Sequence, residues 1–246
     1  MTRPAPIAAD PITASRYLQE FGCVLLRQAI APVNIDGASL LVASFYDELS
    51  HLPVDQRSKQ YASHNLLAME ELSGFEGLAS HLAEELQRVI PEIVEASWAA
   101  QVLDRRLSPS RIAHPWSIRA RRPTPERSGT GVPWHQDLSF LGVDELYVNC
   151  WIPLTTCGVD APALDLIPAA TRTAFEMTDG EAVDPDGYGM LGIPEALLNQ
   201  AFGVDAMWTP ALEIGDCLLF DSYCVHRTSR RSRSLDLRDS LEIRFG

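Results

Sequence analysis

Trp134-His135-Gln136-Asp137, taken together with the distant His226, decides how the rest of this 246-residue chain is read. His135 and Asp137 are two apart, so on a β-strand their side chains leave the same face. An imidazole and a carboxylate side by side can take two adjacent positions on a metal ion, and a second imidazole from elsewhere would complete one triangular face. His-x-Asp alone is a weak signal, because such tripeptides arise by chance. Its context strengthens it.

Gly215-Asp216-Cys217-Leu218-Leu219-Phe220-Asp221 reads as a tight turn and a buried strand that delivers His226 from a different part of the chain. Two histidines and one carboxylate form the facial triad of non-haem Fe(II) sites, which leaves positions open for other ligands. Twelve residues after His226 comes Arg238-Asp239-Ser240. A dicarboxylic co-substrate that chelates iron at one end needs a fixed cation and a hydroxyl for its far carboxylate. Arg238 and Ser240 supply that pair, and the planar guanidinium fork suits a carboxylate better than an ammonium does.

Composition bounds the alternatives. A 46% hydrophobic chain of this length can bury a sizeable core. The net charge of −13 leaves no polybasic tract for nucleic acid or an anionic membrane surface. The charge is uneven: residues 101–134 carry +5 and 226–246 carry +3, on either side of a −14 stretch. These basic islands flank the proposed ligands, and they read either as solvated strand edges or as anion-binding sites. Five cysteines without a CxxC pair read as reduced, small hydrophobes. No signal-peptide pattern or long apolar run appears, so the expectation is a soluble, cytoplasmic protein, monomer or homodimer.

Along the chain, residues 1–11 read as a mobile arm and 12–110 as a mainly helical part with the first strand. Thr13 is a candidate cap for a helix to about Glu20, followed by a strand over Phe21–Leu26. Helices are expected over Asp36–Leu49 and about 76–106, the latter broken at Pro91. Residues 111–246 read as a jelly-roll core. Strands are expected at Ile112–Arg122, His135–Leu141, Tyr147–Thr155, Leu164–Ile167, Met207–Leu212, Cys217–Asp221 and Asp239–Phe245. Residues 172–206, rich in Gly, Pro and Asp with a helical patch at Pro194–Phe202, read as a lid over the barrel mouth. The fold class is mostly β with flanking helices: one domain, 1–246, a double-stranded β-helix (jelly roll, cupin-like) buttressed by N-terminal helices.

The motifs, in order, are Trp134-His135-Gln136-Asp137, Asn149-Cys150-Trp151-Ile152-Pro153-Leu154, Gly215-Asp216 with Phe220-Asp221, His226-Arg227-Thr228, and Arg238 through Arg244. Together they resemble the phytanoyl-CoA dioxygenase-like branch of the Fe(II)/2-oxoglutarate-dependent oxygenases, over about residues 112–246 and loosely over Tyr17–Ala31. The resemblance implies His135, Asp137 and His226 as iron ligands and Arg238 as the anchor of the 2-oxoglutarate C5 carboxylate. It also implies Thr228 as a hydroxyl on that carboxylate and Trp151 as an aromatic wall of its pocket. Fe(II), 2-oxoglutarate and O2 are the implied reactants, with hydroxylation of a small organic substrate and release of succinate and CO2. Asp137 argues against a halogenase, whose chemistry needs that carboxylate replaced. Where many relatives have Gly-Ser-His, this chain reads Ala169-Ala170-Thr171.

Other positions stay open. Arg119 and Arg121 alternate with Ile118 and Ala120, so one pair faces inward and the other outward. Trp134 and Phe140 flank the ligands and are candidates to line a substrate channel. Two competing classes are a cupin-like protein that senses an organic acid, which has no need of all three open iron positions, and a metal-dependent isomerase or hydrolase on the same barrel, which would not require Arg238-x-Ser240.

Overall fold

The computed structural model describes residues 5–51, 78–107, 119–121, 132–141, 146–159, 161–178, 192–229 and 238–246. The chain enters along an edge. Ile7–Ala8 (β1) pairs in parallel with Cys23–Leu26 (β2), with Leu25 N–H donating to Pro6 O and Arg27 N–H to Ala8 O. The expected mobile arm is thus tied down from Pro6 onward, because the partner strand leaves amide donors that this segment satisfies.

Between these strands runs α1, Pro11–Phe21. Its cap is Asp10 rather than Thr13: one Asp10 carboxylate oxygen accepts from the amides of Ile12 and Thr13 at 3.0 and 2.9 Å. Pro11 at the first position costs no hydrogen bond. Gly22, at φ 70°, ends the helix with its N–H on Leu18 O, a left-handed geometry that glycine takes without steric penalty.

The helices α2 (Pro32–Ser50), α3 (Leu78–Glu95) and α4 (Ala99–Leu107) follow. Pro91 lies inside α3 without ending it. The break comes after Glu95, where Ser97 Oγ donates to Val94 O and accepts from Ala99 N–H.

The strands are β3 (Arg119–Arg121), β4 (Val148–Pro153), β5 (Leu164–Leu166), β6 (Cys217–Asp221), β7 (His226–Thr228) and β8 (Ser240–Phe245). A six-stranded sheet has the order β1-β2-β6-β4-β8-β3, and a two-stranded sheet pairs β5 with β7. These are the facing layers of the expected jelly roll. Among the described residues they do not join into a closed barrel; His135 bridges β7 through a single isolated pair. The expected strand at His135–Leu141 stops at that pair, since the Ser139 amide turns back to Gln136 O and Leu138–Leu141 forms a helical turn, α5. Met207–Leu212 likewise contributes only bridges at Trp208 and Leu212.

Alternation along the strands sorts the large sheet into two buried faces. Val24, Leu26, Val148, Cys150, Ile152, Leu219, Leu241 and Ile243 pack with the helices in one core. Cys23, Leu25, Trp151, Leu218 and Phe220 pack against Leu164 and Leu166 of the small sheet in another. All five cysteines are free and buried, as expected of reduced thiols, and burial pushes the Cys157 thiol up to about 11.

The described ends of the expected lid are anchored. Gln136, fully buried, donates through Nε2 to Thr173 O and Tyr223 O and accepts from Phe175 N–H. Thr178 pairs with Gly192, and α6 (Glu195–Phe202) packs its Leu198 with Trp134, Ile167, Ile193 and Val225. Residues 179–191 lie outside the described set.

Candidate metal centre

The His135–His226 bridge brings the two imidazoles together. Each residue donates its backbone N–H to the other's carbonyl at 3.0 Å, and the ring centroids lie 4.1 Å apart. His135 Nδ1 lies 2.8 Å from Pro133 O and His226 Nδ1 3.0 Å from Cys224 O. A carbonyl oxygen can only accept, so each Nδ1 carries the proton. Each Nε2 is then a lone-pair donor toward the site, the tautomer a metal ligand requires.

Asp137 sits in the turn after the bridge and supplies the anion. Its Oδ1 lies 3.8 Å from His135 Nε2 and 3.9 Å from His226 Nε2. The three buried side chains offer ligand atoms all within 4.8 Å of one another and could hold a metal ion. The three residues expected as ligands thus come together, but not through two same-face positions of one strand: His135 is in a bridge, Asp137 in a turn.

Burial alone would raise the Asp137 carboxyl, but Arg244, with His226 and His135 beside it, outweighs that and holds it well below the usual carboxylate range. Burial keeps His226 below its ordinary value, with Asp137 opposing. The donor set is two imidazoles whose Nε2 atoms face an ionised carboxylate, which fits a divalent first-row cation with open positions.

Arg244 and Asn149 are site residues that sequence reading did not single out. Arg244 donates Nε to Asp137 Oδ2 at 2.9 Å and Nη2 to Oδ1 at 3.2 Å, and Asn149 donates Nδ2 to Oδ2 at 3.2 Å. Both had appeared only as letters in longer motifs. Their signal is parity: Leu241 and Ile243 face the helices, so Ser240, Glu242 and Arg244 face the small sheet.

A small cavity beside the triad is lined by His135, His226, Asn149, Phe220, Thr228, Glu242 and Arg244, among others. Thr228, expected at the co-substrate, is in this lining, and its Oγ1 accepts from Val132 N–H at 3.1 Å, which leaves its own proton to donate. Arg238, Trp151 and Ser240, also expected at the co-substrate, are buried but are not in this lining. The Arg238 guanidinium lies over the Trp151 ring, 5.4 Å from its centroid, and its Nη1 reaches Pro162 O at 3.5 Å. Among the described residues, Ser240 Oγ and Trp151 Nε1 are buried without hydrogen-bond partners.

Trp134, a substrate-channel candidate, is instead buried in the apolar cluster with α6, under the Arg227 guanidinium at 4.4 Å. Arg227 is held by Asp165, its register partner, at 2.9 Å. The side chains of Phe140, Arg119 and Arg121 lie outside the described set; in the β3–β8 ladder, position 119 pairs with Glu242 and 121 with Ser240.

A jelly roll carrying a buried His-Asp-His cluster that could hold one metal ion defines a class, the mononuclear metal proteins of this fold. Comparison narrows it. The family model for phytanoyl-CoA dioxygenase matches residues 43–239, most of the sequence, and the chain belongs to that family. It is accordingly an enzyme of the Fe(II)/2-oxoglutarate-dependent oxygenase class.

Solved structures with the same fold include EctD from S. alaskensis with 2-oxoglutarate and 5-hydroxyectoine (15% identity, TM-score 0.56, covering 100% of this chain and 78% of that one). AviO1 from Streptomyces viridochromogenes Tue57 is similar at 13% identity and TM-score 0.56, covering 97% and 96%. EvdO2 from Micromonospora carbonacea var. aurantiaca, complexed with 2-oxoglutarate, is similar at 12% identity and TM-score 0.55, covering 94% and 88%. No curated protein matches the sequence. Among the described residues, no helix is long and apolar enough to cross a membrane.

Proposed function

We propose that the chain hydroxylates a small organic substrate, with His135, Asp137 and His226 holding Fe(II) and Arg238 anchoring 2-oxoglutarate. The carrying observation is the arrangement of buried polar groups along β4. Asn149 reaches Asp137 at one level, and Trp151, two residues on, lies under Arg238. Two residues of strand rise about 6.7 Å, which suits a five-carbon diacid lying with its keto-acid end at the triad and its far carboxylate at Arg238.

Ser240 and Thr228 are the hydroxyls available to that far end. A diacid bound there would also give partners to two buried atoms that have none, Ser240 Oγ and Trp151 Nε1. His226 and Thr228 on β7 and Ser240 on β8 are held by the sheets, while Phe220, 4.5 Å from the His226 ring, and Leu164 give the otherwise polar cavity an apolar part of its wall. Bound there, Fe(II) with 2-oxoglutarate and O2 would supply the oxidising power to place a hydroxyl on a C–H carbon, with succinate and CO2 released. The protein's part is to orient, to exclude water and to hold each imidazole by its Nδ1 on a backbone carbonyl. Arg119 and Arg121, at ladder positions opposite Glu242 and Ser240, are candidates to hold an anionic group of the substrate.

The test is succinate formation from 2-oxoglutarate on admitting air to the Fe(II)-loaded protein, screened across candidate small molecules. Stimulation of succinate release by a small molecule, with an oxygen atom gained by that molecule, is the expected result. Metal-dependent turnover of a substrate without consumption of 2-oxoglutarate would assign the site to isomerase or hydrolase chemistry instead.

A further inference from the structure

Asp137 is gripped by two strands at once. Arg244 on β8 and Asn149 on β4 are register partners in the ladder, so their side chains rise from adjacent points of a rigid sheet. Both converge on one carboxylate oxygen: Oδ2 takes Arg244 Nε at 2.9 Å and Asn149 Nδ2 at 3.2 Å. Among the described residues, Oδ1, the oxygen nearer both histidine Nε2 atoms, takes only the longer Arg244 Nη2 bond at 3.2 Å. One oxygen is thus occupied by the protein and the other faces the site.

This asymmetry bears on how many positions a metal would have left. A carboxylate can bind a cation through one oxygen or chelate it through both. With Asp137 bound through one oxygen, the triad would take three positions of a six-coordinate ion and leave three for a chelating keto acid and O2. A chelating Asp137 would take one of those three.

The guanidinium is also a poor device for raising metal affinity. It sets a positive charge beside the cation and competes with it for the same carboxylate. Beyond Asp137, the guanidinium faces the buried Glu242 carboxylate, Nη2 to Oε2 at 4.0 Å, and among the described residues its Nη1 has no hydrogen-bond partner. A role in geometry explains what a role in affinity does not.

We propose that Arg244 and Asn149 are positioning residues that confine Asp137 to the metal through Oδ1 alone, and so keep open the position that 2-oxoglutarate needs. This rests on the iron and 2-oxoglutarate reading given above. It separates two properties that a merely structural role would move together, metal binding and co-substrate chelation.

The experiment is anaerobic. The metal dissociation constant is measured by competition with a chromophoric chelator, and 2-oxoglutarate binding to the Fe(II) protein by its visible charge-transfer band. In Arg244→Met the metal constant stays near wild type or tightens, while 2-oxoglutarate binding weakens by about tenfold to a hundredfold, the scale of groups that orient metal ligands. Arg244→Lys, with a point donor in place of the fork, lies between.

Unchanged 2-oxoglutarate affinity and an unchanged band in Arg244→Met would overturn the proposal, and so would parallel loss of metal and co-substrate by the same factor. If Arg244→Met does not fold, Arg244→Lys and Asn149→Leu decide by the same criterion. Wild-type protein that binds metal but gives no band with 2-oxoglutarate would remove the underlying reading, and this inference with it.

Discussion

Ile243 and Arg244 are neighbours on β8, both buried, yet they belong to different parts of the molecule. Ile243 faces the helices, in a core with Val148, Cys150, Ile152 and Leu241. Arg244 faces the small sheet and grips Asp137. The same alternation divides β4, where Asn149 and Trp151 look inward and Cys150 and Ile152 outward. One face of the sheet provides stability through apolar burial. The other accepts buried charge, which is costly unless it is paired, and pairs it around a prospective cation.

The comparison predicts that substitutions one residue apart will separate catalysis from stability. The largest effect belongs to the triad. His135→Ala or Asp137→Ala should reduce 2-oxoglutarate turnover to the detection limit while the far-ultraviolet circular dichroism stays that of a folded protein. A variant that kept measurable Fe(II)-dependent turnover would place the metal elsewhere.

On the other face, Ile243→Ala should cost about 2–5 kcal/mol of unfolding free energy and leave the 2-oxoglutarate constant of the folded protein unchanged. Denaturant melts and binding titrations on one preparation check both halves. Weaker co-substrate binding in that variant would mean that the faces are coupled.

Arg238→Ala removes charged hydrogen bonds worth about 1.5–3 kcal/mol, so the Michaelis constant for 2-oxoglutarate should rise by about tenfold to a hundredfold. The constant for the prime substrate should hardly move. Equal changes in both would deprive Arg238 of the anchoring role. Thr228→Val is a milder version: loss of one hydroxyl, about 1 kcal/mol, or roughly a fivefold rise in the same constant. Part of that change would come from the Val132 amide, which Thr228 now satisfies.

The smallest effect concerns pH. His226 is held below its ordinary value of 6.5 by burial. The unfolded chain therefore takes up a proton before the folded one does, and stability present above about 6.5 is lost as pH falls through that value toward the lower folded one. Metal-free protein should melt at a lower temperature on the acid side of this window, and His226→Gln should flatten the slope. An equal slope in the variant would assign the dependence to another group.

Much of this was legible in the sequence, and the reasons are specific. Cys217–Asp221 was read with its boundaries, because a glycine turn precedes an unbroken apolar run. The triad was legible because its three residue types are uncommon in that order with a strand leading to the last one. Asp137 was placed on a strand because an isolated bridge and the start of one look alike in sequence. Asp10 was passed over as a cap for Thr13 because both are capping types, and only the Ile12 and Thr13 amides show which one is used.

Arg244 and Asn149 were missed for a different reason. On a sheet buried on both faces, a polar residue between apolar ones reads as solvent-facing. Only the second sheet, seen in three dimensions, turns that reading inward. Ser240 and Trp151 were identified from the chemistry a diacid needs and from family resemblance, and they lie on that same inward face.

The most direct test of the central claim is an anaerobic titration of the apoprotein with Fe(II) and 2-oxoglutarate, followed in the visible region. The account predicts a weak charge-transfer band that saturates with both ligands, disappears in His135→Ala, and decays with succinate formation when air is admitted. A band that persists undiminished in His135→Ala, or bound metal with no band in the wild-type protein, would contradict it.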